Sequence, residues 1–174
     1  TADGRVNATG IGVAAIAIDP RGEDSGDAVA NVGGDIYVNG ATGPSLLGQF
    51  YGGLLGDGTV GALALSESGA ATVNLDGGNI MGSTPDIGLM AVVLGGSSNA
   101  TVTVSPDALG ESYVHANLIG INGVNFGSGD VIITETPYID PLTLEETNNV
   151  VDSDGIGVFG IALGGGDVAI QSGT

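Results

Sequence analysis

The sequence has no cysteine, no tryptophan and no lysine, and its 174 residues carry only two permanent cations, Arg5 and Arg21. The missing cysteine removes disulfide staples, cysteine-ligated zinc and thiol chemistry, and leaves the redox compartment open. The shortage of cations excludes nucleic acid as a partner, because phosphate binding depends on Lys and Arg releasing counterions. It equally excludes attraction to anionic lipid headgroups. No uninterrupted apolar run approaches the ~18 residues of a membrane span. No basic start followed by an apolar stretch marks a signal peptide, so no membrane insertion is expected. Aromatic residues number only 3 Phe and 4 Tyr, too few for a core built on large rings.

What is present is glycine, acid and small aliphatic side chains. There are 34 Gly and 20 Asp+Glu, for a formal net charge of −18. That balance alone suggests disorder. The 42% hydrophobic content, mostly Val, Ile, Ala and Leu, argues instead for one folded domain over 1–174 with a narrow aliphatic core.

The pattern is repetitive. A turn of glycine or small polar residues precedes a short alternating strand at Gly33-Gly34-Asp35-Ile36-Tyr37-Val38 and at Gly69-Ala70-Ala71-Thr72-Val73-Asn74-Leu75. It recurs at Ser98-Asn99-Ala100-Thr101-Val102, Gly129-Asp130-Val131-Ile132-Ile133 and Gly166-Asp167-Val168-Ala169-Ile170. With Ile36, Val73, Val102, Val131 and Val168 as equivalents, the intervals are 37, 29, 29 and 37 residues, a repeat of 29 with insertions. A second strand precedes each copy, starting at Ile11, Val60, Ile87, Ala116 and Ile156, and a weaker third includes Asn79-Ile80-Met81 and Tyr113-Val114-His115. Short strands joined by small-residue corners predict an all-β, right-handed parallel β-solenoid of about five coils. Each coil buries its apolar face only by stacking on the next at ~4.8 Å, and the corners call for positive φ or tight bends. An antiparallel β-sandwich with many turns is the alternative. Loop insertions are expected near 19–32, 41–58 and 135–155. The segment Pro44–Tyr51 reads as a loop excursion, and 141–147 as one helical turn within a loop.

The segments Gly129-Asp130-Val131-Ile132-Ile133-Thr134, Gly166-Asp167-Val168-Ala169-Ile170 and Leu75-Asp76-Gly77-Gly78-Asn79-Ile80-Met81 carry a family resemblance. They resemble the passenger regions of bacterial autotransporter adhesins and filamentous-haemagglutinin-like secreted proteins. The resemblance implies a β-helical stalk, a location outside the cell or on its surface, and adhesion or display rather than catalysis. The C-terminal membrane barrel of a complete autotransporter is missing, which implies a fragment or a free-standing subunit.

Catalytic signals are sparse. His115, the one histidine, lies on a strand-like stretch and reads as an ordinary surface side chain. Asp130 and Asp167 occupy equivalent repeat positions, so they would lie on one side of a solenoid as the paired carboxylates of a carbohydrate-active enzyme do. At strand starts they read better as turn residues bonding backbone amides. No cofactor is required, and calcium is the one that the loops would suit. Its candidate ligands are Asn148, Asn149, Asp152 and Asp154 in one loop, which holds a partial Asp-x-Asp-Gly pattern without the distal Glu of an EF-hand, and Glu23, Asp24 and Asp27 in a second acidic cluster. Solvated acidic loops are the plainer reading of both. Asn7-Ala8-Thr9 and Asn99-Ala100-Thr101 match the glycan-acceptor triplet. The expected role is that of an extracellular, non-catalytic structural or adhesive surface protein, its loops meeting a glycan or host-matrix ligand. The alternative is a self-assembling subunit of a filament or surface layer, joined end to end through unpaired strand edges.

Overall fold

The computed structural model describes residues 4–19, 21, 24–39, 59–82, 85–106, 112–140, 142–147 and 149–172. The described residues contain no helix. In chain order the strands are β1 (Val6–Ala8), β2 (Ile11–Ala17), β3 (Ala28–Val32), β4 (Ile36–Val38), β5 (Val60–Ser66), β6 (Ala71–Asp76), β7 (Asn79–Met81), β8 (Ile87–Val93) and β9 (Ala100–Ser105). They continue as β10 (Tyr113–Ala116), β11 (Ile119–Asn125), β12 (Val131–Glu135), β13 (Tyr138–Ile139), β14 (Glu146–Thr147), β15 (Val150–Ser153), β16 (Ile156–Ala162) and β17 (Val168–Gln171).

Fifteen of these strands form three parallel five-stranded walls. The first wall runs β1-β4-β7-β10-β15, the second β2-β5-β8-β11-β16 and the third β3-β6-β9-β12-β17. Every coil contributes one strand to each wall, so the protein is a parallel β-solenoid of five coils. The only antiparallel pair among the described strands is β13–β14, outside the walls. The weak strands at Asn79 and Tyr113 are the first wall's β7 and β10, full members of their coils.

The register confirms some of the predicted equivalences and corrects others. Val73 pairs with Val102, and Val131 with Val168. Val102, however, pairs with Ile133 rather than Val131. A slip of two residues keeps every side chain on its own face, so alternation cannot distinguish those two positions. Ile36 belongs to another wall, between Val6 and Ile80, because corners of similar composition precede strands of the first and third walls alike. The true third-wall ladder is Ala30, Val73, Val102, Ile133 and Ile170, with steps of 43, 29, 31 and 37 residues. In the second wall Ile119, not Ala116, continues the ladder of Ile11, Val60, Ile87 and Ile156. The stretch 19–32 ends in the regular strand β3, and 135–155 contains the β13–β14 pair and then β15. Residues 41–58, with Pro44–Tyr51, lie outside the described residues.

Alternation places Ala28, Ala30 and Val32 inside, stacked on Ala71, Val73 and Leu75 and then on Ala100, Val102 and Val104. Ile36, Ile80 and Val114 from the first wall and Ala62, Leu89 and Ile121 from the second complete this core. The second wall is apolar outside as well. Val60, Leu63 and Leu65 stack on Ile87, Met90 and Val92, and all seven residues of β5, β8 and β11 are buried. One polar side chain enters that outer layer: Asn122, between Met90 and Phe159, is buried with its Oδ1 unpartnered.

Glycine serves the stack chiefly by having no Cβ. Among described corners between strands, positive φ explains Gly77, Gly82, Gly96 and Gly165. Gly12, Gly61, Gly88 and Gly120 form a ladder at the start of the second wall with a different cause. A Cβ on Gly88 would enter the Val114 side chain and lie 2.5 Å from the Gly120 carbonyl oxygen, both on the following coil. Gly12 and Gly61 meet Ile36 and Ile80 in the same way, and Gly120 meets Val151. The recurring Ile-Gly or Val-Gly pair is thus imposed by coil-to-coil distance.

Candidate functional site

The chemistry-bearing side chains divide between those that bind coil to coil and those that face outward. At the corner before the third wall, Asp27 Oδ1 accepts the Ala70 N–H at 2.8 Å, Asn99 Oδ1 the Asp130 N–H at 2.9 Å, and Asp130 Oδ1 the Asp167 N–H at 2.9 Å. Asp130 and Asp167 do occupy equivalent positions, and the Asp130 carboxylate serves as a turn cap, as polar corner residues do. Asn149 is also structural. Buried, it accepts the Ser112 N–H at 2.9 Å and donates to the Thr136 carbonyl at 2.6 Å.

The remaining acidic candidates do not gather around one point. Asp24 and Asp154 are exposed in separate corners, while Glu23 and Asn148 lie outside the described residues. Among the described residues no three His, Cys, Asp or Glu side chains stand together as a metal-holding group. Asp152 turns toward the preceding coil, where His115 is its direct neighbour in register. Its Oδ2 accepts the Tyr113 hydroxyl at 3.0 Å and lies 3.3 Å from His115 Nδ1. The Tyr113 and His115 rings are stacked, with centroids 6.4 Å apart and planes within 4°. Desolvation first, then the adjacent Asp152, raises the Tyr113 pKa above its ordinary value. The same wall carries the guanidinium of Arg5, 4.0 Å above the Tyr37 ring. Sequence spacing hides the His115–Asp152 meeting, but aligning Ile119-Gly120 on Ile156-Gly157 reveals it, since both pairs then share one offset.

The third wall's outer face is a polar ladder. Asn31, Asn74, Thr103 and Thr134 follow one another in register, with Asn74 Nδ2 donating to Asn31 Oδ1 at 2.8 Å. Asn31, Asn74, Asp76, Thr103 and Ser105 line a groove of about 490 Å³. Amide and hydroxyl groups at such spacing suit a ligand rich in hydroxyls.

The insertion between the fourth and fifth coils carries the two most exposed large apolar side chains among the described residues. β13 and β14 pair as a two-residue ladder. The turn between them is tied at Asp140, whose Oδ1 accepts the Leu142 N–H at 2.7 Å and the Thr143 N–H at 3.2 Å. Those two backbone donors hold the Asp140 carboxyl below its usual pKa. The Leu144 N–H donates to the Asp140 carbonyl at 2.8 Å, a single turn closing a hairpin. Leu142 is 92% exposed and Leu144 76%. Leu144 also sits at φ 59°, a left-handed conformation costly for a side chain of that size.

At the base of this insertion the inward ladder turns polar. Val32, Leu75 and Val104 are followed by Glu135, which is buried and takes one hydrogen bond, from Ser172 Oγ at 3.3 Å. Desolvation raises the Glu135 pKa, and the Ser172 bond offsets it only in part. A native pKa above the unfolded value favours folding at low pH, and this advantage is lost as pH rises through the native value. Glu135→Gln is therefore expected to stabilise the protein at pH 7. The gain should vanish once pH falls below the ordinary glutamate range, where both states are protonated, as urea denaturation across that interval will show.

Comparison of the chain with family models, with curated proteins and with solved structures returns no match.

Proposed function

We propose that the protein is a non-catalytic structural and adhesive surface protein displayed outside the cell: a rigid solenoid that holds contact loops away from its axis. The reading places it beside the autotransporter passengers and filamentous-haemagglutinin-like proteins that its corner motifs resemble. One observation carries it. The β13–β14 hairpin presents two leucines to solvent, and one of them occupies a backbone conformation that glycine or asparagine would adopt with less strain. Strain kept beside an exposed apolar tip points to recognition rather than folding. The polar ladder of Asn31, Asn74 and Thr103 supplies a neighbouring surface fitted to a glycan. Support for the extracellular setting comes from composition: an almost cation-free, strongly acidic surface resists nonspecific association and is screened by salt.

The test is retention on immobilised glycans and matrix proteins. Wild-type protein should be retained, and the double variant Leu142→Ser/Leu144→Asn should lose about ten-fold or more in affinity. Its melting temperature should be unchanged or slightly raised, because the strain at position 144 is relieved. Equal retention of both proteins, or retention of neither, would refute the proposal.

A further inference from the structure

In a chain with 20 Asp+Glu, the outer face of the third wall is nearly free of charge. Over the first four coils, three ranks of outward side chains cross it from coil to coil. Val29, Thr72, Thr101 and Ile132 form one, and Asn31, Asn74, Thr103 and Thr134 the next. The last, at the strand ends, holds Asp76 and Ser105. Thr136 continues it, its N–H donating to the Val104 carbonyl at 2.9 Å. Asp76 is the single ionisable side chain among them.

The second and third ranks flank the groove of about 490 Å³, which crosses three coils from Asn31 through Asn74 to Thr103. Neither arginine is among the described residues that line it. Asn74 Nδ2 gives one hydrogen to Asn31 Oδ1 at 2.8 Å. That leaves further amide donors, the Asn74 side-chain carbonyl and the Thr103 and Ser105 hydroxyls for a ligand. These groups repeat along the axis at the strand spacing of ~4.8 Å.

We infer that this groove holds an uncharged glycan, extended along the solenoid axis with successive sugar units on successive coils. Sugar hydroxyls both donate and accept, and so do the amides and hydroxyls that face them here. The coil spacing is close to the advance of one pyranose unit in an extended polysaccharide. Uronate, sialate or sulfate groups are selected against. They are held by Arg or Lys, which the groove lacks, and they would meet Asp76 and the field of a chain at −18. A neutral sugar can instead donate a hydroxyl hydrogen to the Asp76 carboxylate. The rank of Asp76, Ser105 and Thr136 leads to the β13–β14 insertion, whose first strand starts at Tyr138, so a bound chain runs on toward the hairpin. The inference rests on the adhesive reading and names its ligand class.

Affinity electrophoresis through native gels holding dextran, mannan or laminarin, beside gels holding heparin or hyaluronate, tests it. At least one of the three uncharged polysaccharides should retard the wild-type protein, and neither anionic one should. Asn74→Leu/Thr103→Val keeps the approximate volume of both side chains and removes their hydrogen bonds. It should weaken the retardation about ten- to thirty-fold, with an unchanged circular dichroism spectrum. Thr103→Val alone, the milder change if the pair disturbs the fold, should weaken it about five-fold. Retardation mainly by heparin or hyaluronate, none by any uncharged polysaccharide, or equal retardation of wild type and a folded groove variant would each overturn the inference. If the groove variant binds as wild type while Leu142→Ser/Leu144→Asn binds weakly, the adhesive reading stands and only this inference falls. Loss in the groove variant alone supports the groove and removes the hairpin from the contact.

Discussion

Gly88→Ala is expected to lower the melting temperature by roughly 2–12 °C, on the basis that overpacking a closed interior costs about 1–3 kcal/mol and each kcal/mol shifts a domain of this size by about 2–4 °C. The new methyl group would enter the Val114 side chain and crowd the Gly120 carbonyl, both in the following coil. Val114 is completely buried, so it has no empty space into which to retreat. The carbonyl belongs to a strand paired on both sides, so its movement would disturb two ladders. Gly157→Ala adds the same methyl group at the same ladder position, where nothing lies within 4 Å of it. Thermal scans of the two variants side by side separate coil spacing from intrinsic glycine effects. Equal losses in both would mean that the ladder is glycine for reasons of backbone conformation.

Val102→Asp is the second large effect. Val102 is fully buried at the centre of the third-wall ladder, between Val73 and Ile133. A carboxylate there has no cation to pair with, since neither arginine lies in the core. An uncompensated buried charge costs about 3–5 kcal/mol, a large share of the 5–15 kcal/mol typical of a whole domain. Thr101→Asp, one residue earlier, points to the outer face and should change stability by about 1 kcal/mol or less. Urea midpoints measure both. Comparable destabilisation by the two would contradict the inward–outward alternation assigned to β9.

The difference between these neighbours is also what made the architecture legible from residues alone. Alternation in Ala71–Asp76 and Ala100–Ser105 fixes which faces are buried, and recurring Gly-Asp and Ser-Asn corners fix where coils turn. That suffices for a parallel stack. It does not suffice for register, since Val131 and Ile133 share a face and both satisfy the pattern. It also does not distinguish walls, so by pattern Ile36 groups with strands of a wall to which it does not belong. The candidate site was less legible for the same reason. Asp152 reads locally as one of several loop carboxylates beside Asp154. Only the correct offset between β10 and β15 brings it to His115 and Tyr113. Asn149 carries a calcium-loop signature in sequence, but its amide is spent on the Ser112 and Thr136 backbone. The left-handed backbone of Leu144 leaves no trace in composition.

The unequal steps along the third-wall ladder separate two dimensions of the molecule. Between Ala30 and Val73 the chain spends 43 residues, and between Val73 and Val102 only 29, yet each step advances the axis by the same strand spacing of ~4.8 Å. Residues added between strands leave that spacing unchanged, so the number of rungs alone sets how far this protein extends.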